Sequence, residues 1–162
     1  MANRSPPERA LEVRLLPGLP LQMNIKIRSY TPSDFPSVKE NLSQAEMYEE
    51  NWDNEKNLNK KIGRNPGSIL VAEEDGKVVG NIFVIEDGWG AWLFRLAVNE
   101  SRRKQGIGTM LLKSAEKLIK QRGIKEVALL VEAEKEQLKD FYHKRGYKEF
   151  GDYTVMWREL RL

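Results

Sequence analysis

Cysteine is absent from this chain, and histidine occurs once, at His143. The first absence excludes disulfides, thiolate metal sites and a cysteine nucleophile. The second excludes a multi-histidine centre, so no metal is expected. No apolar run reaches the length of a membrane span, and the opening residues hold no apolar signal-peptide core. Neither sign of charge dominates: 27 Lys and Arg stand against 24 Asp and Glu, a net of +3. That balance offers no argument for a nucleic-acid or membrane partner. We therefore expect a cytoplasmic protein with neither. What is present suits a soluble globular chain: 162 residues, 40% hydrophobic and 31% charged, enough to bury a core.

Residues 1–22 differ from the rest. They hold Pro6, Pro7, Pro17 and Pro20 without a sustained period. We expect them to be an extension outside the core, with the domain spanning residues 23–162. An arm packed on the domain or on a neighbouring chain is the alternative, with Leu11, Val13, Leu15 and Leu16 as its contacts. Beyond Met23, alternation around Ile25 and Ile27 predicts a strand over 24–30. Thr31-Pro32-Ser33-Asp34 starts a helix to about Leu42, and a second helix is predicted over 46–62. Strands follow at 68–73, 77–86 and 91–98, separated by turn signals at Asp75-Gly76 and Asp87-Gly88-Trp89-Gly90. A helix from about Gln105 to Gln121 places Ile107, Met110, Leu111, Ala115, Leu118 and Ile119 on one face. A buried strand is predicted over 126–131 and a helix from about Lys135 to Lys144. Residues 147–160 read as extended structure turning at Gly151-Asp152. The order predicts an α/β (α+β) fold, a sheet flanked by helices.

The segment Arg102-Arg103-Lys104-Gln105-Gly106-Ile107-Gly108-Thr109 joins the third of these central strands to the strongest helix. A glycine inside a helix costs roughly 1 kcal/mol relative to alanine. Two of them in a first turn suggest that something approaches the backbone closely. Free N–H groups and a positive dipole at a helix N-terminus bind anions, and three cations precede them. A phosphate or pyrophosphate is the simplest ligand. The loop is neither of two common phosphate motifs. No Gly-Lys-Ser/Thr follows, and Leu111 stands where a dinucleotide fingerprint needs its third glycine.

The run from Leu96 through Leu112, with Arg103, Gly106 and Gly108 in an Arg/Gln-x-x-Gly-x-Gly/Ala pattern, resembles motif A of the GNAT superfamily of acetyl-CoA-dependent N-acetyltransferases. Phe141-Tyr142-His143-Lys144-Arg145-Gly146-Tyr147 is similar to that family's Tyr-x-x-x-Gly-Phe/Tyr segment. The resemblance implies a GNAT-like, mainly antiparallel mixed sheet and acetyl-CoA as co-substrate. It implies that the N–H groups of Arg103, Lys104, Gln105, Gly106, Ile107, Gly108 and Thr109 hold the CoA pyrophosphate. Leu96, Ala97 and Val98 would splay from the strand beginning at Val127 and pair with the pantetheine arm. Tyr142 would lie beside the thioester.

Acetyl transfer to an amine needs a neutral amine, a polarised carbonyl and a proton for the departing thiolate. Tyrosine, ordinarily near pKa ~10, can donate to a thiolate whose acid is near ~8.5, which makes Tyr142 the candidate acid. The amide of Val98 or a neighbour would polarise the carbonyl. Without cysteine there is no acetyl-cysteine route, so direct attack in a ternary complex is expected. Some family members carry a glutamate base where this chain has Trp92. Glu132 is the nearest replacement by topology; Glu86, Asp87, Glu49, Glu50 or a water chain are others. Lys135 stands where many members have asparagine, and Arg95 either reaches the acceptor or pairs with an acid. Acids interleaved with aromatics over 46–53, and the turn at Trp89, suit a cationic amine on a small molecule or a protein. A homodimer remains open. The alternative function is a non-catalytic acyl-CoA-binding module on the same fold.

Overall fold

The computed structural model describes residues 24–160; expectations for residues 1–22 lie outside them. Five strands pair in chain order: β1 (Ile25–Ser29), β2 (Ile69–Glu74), β3 (Lys77–Glu86), β4 (Ala91–Val98) and β5 (Val127–Leu129). The first four are antiparallel, and β5 joins β4 in parallel. A parallel neighbour needs a crossover, here supplied by helix α4 (Ile107–Gln121). Helices α1 (Phe35–Gln44), α2 (Glu50–Asp53) and α3 (Glu55–Arg64) lie between β1 and β2, and α5 (Glu136–His143) follows β5.

Helices cover both faces of the sheet, and each face has its own core. On one, Ile107, Leu111, Leu112, Ala115 and Ile119 of α4 pack on Leu70, Ala72, Ile82, Val84, Ala91 and Leu93. On the other, Val38, Leu42 and Leu58 of α1 and α3 pack on Ile69, Val71, Phe83 and Ala97. The period of two along β2 delivers this directly, with Ile69 and Val71 to one face and Leu70 and Ala72 to the other. Gly80 lets α4 come close: a Cβ there would stand 3.1 Å from both Leu111 Cδ1 and the Ala97 carbonyl oxygen.

Four expectations need correction. The helix over 46–62 is two helices, broken at Asn54, whose side chain accepts from the Asn57 N–H as the cap of α3. The buried stripe of α4 includes Leu112, while Met110 is exposed. Strand β5 has three half-buried residues rather than a buried six, because it is the sheet edge. Residues 148–160 form no strand and are exposed throughout.

Candidate active site

Strand β4 changes face part-way along. Its register against β3 runs Phe83↔Phe94 and then Asn81↔Ala97, so β4 carries one extra residue. Ala91 and Leu93 face the α4 core, Phe94 and Ala97 the other core, and Leu96 and Val98 pack again beside α4. The bulge therefore restores Leu96 and Val98 to the face that strict alternation would deny them. Arg95 sits at the bulge with φ +53°, a conformation unfavourable for a side-chain-bearing residue.

Two contacts hold Arg95 there. Its guanidinium donates to Asp53 of α2, Nε to Oδ1 at 3.1 Å and Nη2 to Oδ2 at 3.0 Å. Asp53 is buried and also accepts from the Glu49 N–H at 2.9 Å. The Arg95 carbonyl accepts from Asn81 Nδ2 at 2.9 Å. Asn81 in turn accepts from Asn41, Asn41 from Asn99, and Asn99 from the Ser101 N–H and hydroxyl. All three asparagines are buried. Their amides run head to tail from the loop after β4 back to the bulge, an arrangement in which each bond polarises the next. Arg95 thus pairs with an acid, and Asp53 was not foreseen as its partner. The polar Asn81 inside an apolar strand was the available signal for the network.

Beyond the bulge β4 loses its parallel neighbour. Pairing with β5 ends at Leu93↔Leu129, so residues 96–98 present an unpaired edge on that side. The loop at the end of β4 turns through Lys104 (φ +60°) and Gly106 (φ +84°) into α4. Met110 is the first to close the helical ladder, onto the Gly106 carbonyl, so the N–H groups of Ile107, Gly108 and Thr109 lack intrahelical partners. Arg103 does not point into this space: it donates to the carbonyls of Val98 (3.1 Å) and Gln44 (3.1 Å), bracing the loop against α1. At Gly108 a Cβ would stand 3.8 Å from Val98 and 3.7 Å from Phe141. The helix end, the open strand edge and α5 meet at that point.

Tyr142 of α5 has its ring buried in the same core, edge-on to Phe141 and Tyr147 at 5.1 and 5.5 Å between centroids. Its hydroxyl bonds to no described residue and is not enclosed. Burial pushes its pKa up, with Arg145 opposing, so the group keeps its proton. Arg145 lies over the Phe141 ring and donates to Thr109 Oγ1 at 3.0 Å, tying α5 to the first turn of α4.

The candidate acids are placed unequally. Glu132 is exposed and pairs with Lys135 at 3.0 Å. Glu86 is held by Arg122, Asn65 and the Gly88 N–H, which outweigh its desolvation and lower its pKa. Asp87 caps its turn through the N–H groups of Trp89 and Gly90. Glu49 and Glu50 are exposed beside Trp52. Trp92 is 43% exposed and lies against Phe94. Among the described residues no cluster of three acids or histidines forms a metal site, and no helix is long and apolar enough to cross a membrane.

A strand parted from its parallel neighbour beside a glycine-opened helix is a family-level arrangement, and a sequence model described as the acetyltransferase (GNAT) family matches residues 26–147. The chain belongs to that family. It is an acyltransferase of the GNAT fold. Acetyltransferase SG1711 of Sodalis glossinidius is 28% identical over 136 residues, covering 84% of this chain and 96% of that protein. Acetyltransferase ECA0875 of Pectobacterium atrosepticum is 27% identical over 131 residues, covering 81% and 93%. Among solved structures, the PaiA N-acetyltransferase of Thermoplasma acidophilum in complex with coenzyme A superimposes with a TM-score of 0.69 at 27% identity. That match covers 80% of this chain and 94% of that one. Ard1 of Thermoplasma volcanium, at 23% identity and TM-score 0.70 over 78% and 84% of the two chains, shares the fold.

Proposed function

We propose that this GNAT acyltransferase moves the acetyl group of acetyl-CoA to a primary amine by direct attack in a ternary complex. The observation that carries the reading is the opening of β4 from β5 at residues 96–98, next to the unpaired N–H groups at the start of α4. A pyrophosphate needs clustered donors and positive potential, which that helix end supplies. A pantetheine arm carries amides that can add to an open strand edge. The N–H groups of residues 104–109 take the first part, that of Arg103 being held by the Glu100 carbonyl, and Leu96, Ala97 and Val98 the second. The PaiA complex with coenzyme A supports the choice of co-substrate.

The amine lone pair attacks the thioester carbon, whose oxygen the Val98 N–H or a neighbour stabilises. As the C–S bond breaks, Tyr142 gives its proton to the thiolate and regains one from solvent. The ammonium proton of the acceptor goes to Glu132 or to water. On this reading the acceptor meets Glu49, Glu50, Trp52 and Trp89, all exposed, a set of acids and aromatics that favours a cationic amine.

Thiol release from acetyl-CoA, followed across polyamines, aminoglycosides and lysine or N-terminal peptides, tests the reading. Turnover with one class supports it. Calorimetric CoA binding with no release across the panel would favour the non-catalytic module instead.

A further inference from the structure

Alternation along β3 and β4 divides their outer ends between the two faces of the sheet. Val84, Ala91 and Leu93 point into the core under α4. Ile85, Trp92 and Phe94 take the other face, the one that carries α1, α2 and α3. Those helices leave part of it open. Phe94 is half-buried against the second core, whereas Ile85 is 50% and Trp92 43% exposed. The three form one surface. Ile85 pairs with Trp92 across β3 and β4, and Trp92 with Ala128 across β4 and β5. The Trp92 and Phe94 rings lie 6.4 Å apart at 30°. Trp89, in the turn joining the two strands, is exposed beyond them. A single exposed apolar residue is ordinary, but a contiguous row across strands marks a binding surface.

The polarity of this surface selects its ligand. Neither β4 nor β5 contains an acid, and the acids of the adjoining turn are engaged. Glu86 is held by Arg122 and Asn65, and Asp87 by the N–H groups of Trp89 and Gly90. A second ammonium group laid on the surface would lose water without gaining a counter-charge. An aromatic ring would instead gain offset or edge-on contact with two rings already in place.

The surface leads to the opening. Pairing of β4 with β5 ends at Leu93↔Leu129, so Phe94 is the first residue beyond the last pair. Leu96 follows two residues later, at most about 7 Å of chain. Helix α2 borders the same stretch through the Asp53–Arg95 pair. A ring seated on Trp92 and Phe94 therefore places an amine two carbons away at the start of the open edge.

We infer that the acceptor is a 2-arylethylamine unit, selected by a floor of Trp92, Phe94 and Ile85. The unit is the same in a free arylethylamine and at the N-terminus of a peptide that begins with an aromatic residue. The assignment rests on the acetyl-transfer reading, which brings the amine to residues 96–98. The N–C bond forms as the C–S bond breaks. The products are the N-acetyl amide and the CoA thiol, with the amine's proton passing on balance to sulfur.

Titration calorimetry in the presence of CoA compares 2-phenylethylamine, the peptide Phe-Ala-Ala, spermidine and butylamine. Both aromatic amines should bind roughly tenfold or more tightly than the other two. Whichever binds tighter names the source, a free amine or a peptide N-terminus. Trp92→Ala should abolish the preference and Trp92→Phe retain most of it. Ile85→Ser, at a position outside both cores, should weaken it without disturbing the fold. Thiol release from acetyl-CoA should follow the same order of amines. Tighter binding of spermidine, no binding of either aromatic amine, or an undiminished preference in Ile85→Ser and Trp92→Ala would overturn the assignment. Aromatic preference in binding with no thiol release from any amine would count against acetyl transfer and leave the floor standing. Thiol release confined to spermidine would do the reverse.

Discussion

At the scale of single residues, Tyr142 and Gly108 separate chemistry from packing. The Tyr142 ring is buried while its hydroxyl bonds to nothing described, so Tyr142→Phe should melt close to the parent. Loss of a general acid commonly costs ~10²–10⁴-fold; with water as a substitute donor, kcat should drop at least about tenfold with acetyl-CoA affinity little changed. Because burial raises the Tyr142 pKa, ionisation of this group should not limit kcat below the ordinary tyrosine value of ~10. Full activity in the variant would make Tyr142 a packing residue. Gly106 and Gly108 are glycine for different reasons. Gly106 needs its positive φ, and nothing lies within 4 Å of a Cβ there. A Cβ at Gly108 meets only ordinary contacts, so the fold itself tolerates one. Gly108→Val should therefore stay folded and weaken CoA binding by about tenfold or more, about 1.4 kcal/mol, in a calorimetric titration. Unchanged affinity would remove the pyrophosphate from this helix end.

Between elements, the tie from α2 to β4 and the seat of α3 on β3 set the predictions. Asp53 holds Arg95 at a backbone conformation the residue would not choose alone. Asp53→Asn leaves a half-buried guanidinium without its counter-charge, and charge-assisted hydrogen bonds are worth about 1.5–3 kcal/mol. Denaturant unfolding should show a loss of that order. If the bulge shifts with it, kcat should fall more than acetyl-CoA affinity. A stability equal to the parent's would show that the bulge stands without this pair. Lys61 of α3 donates to the Val84 carbonyl at 2.6 Å, and burial lowers its pKa to about 8 from 10.5. Between those values the unfolded chain binds the extra proton, so stability contributed here rises with pH. Relative to Lys61→Met, the parent should gain in melting temperature from pH 8 to 10 and keep a constant offset below pH 8. An offset that stays flat across the whole range would mean that Lys61 titrates as an ordinary surface lysine.

For the molecule as a whole, the described residues supply two cores, one on each face of the sheet, and the family match begins at residue 26. A chain starting at Met23 should therefore keep its melting temperature within a few degrees and bind CoA as before. A large loss of either would assign residues 1–22 to the working fold. On the proposed reading, the same two cores flank the opening that takes the co-substrate. Both cores hold β4 along its length, and its pairing with β5 stops at Leu93↔Leu129.

Much of this was legible along the chain. The bounds of β3 and β4 follow from apolar runs closed by Asp75-Gly76 and Gly90, and the start of α4 from its glycines. These signals act between near neighbours, through backbone torsion and side-chain period, so the order of residues carries them complete. The loop at 103–109 and Tyr142 were singled out the same way, and the roles proposed for them come from the family resemblance. The break at Asn54 was also local, a cap hidden in a polar stretch with no period to interrupt. Other features came only from the tertiary structure. Arg95 looks like any strand residue until Asp53, 42 positions away, and Asn81 hold it in a bulge. The parting of β4 from β5 depends on where a pairing between distant segments stops. Residues 148–160 have the composition of a strand, yet a strand exists only where an edge accepts it, and that edge is not settled by the segment's own residues.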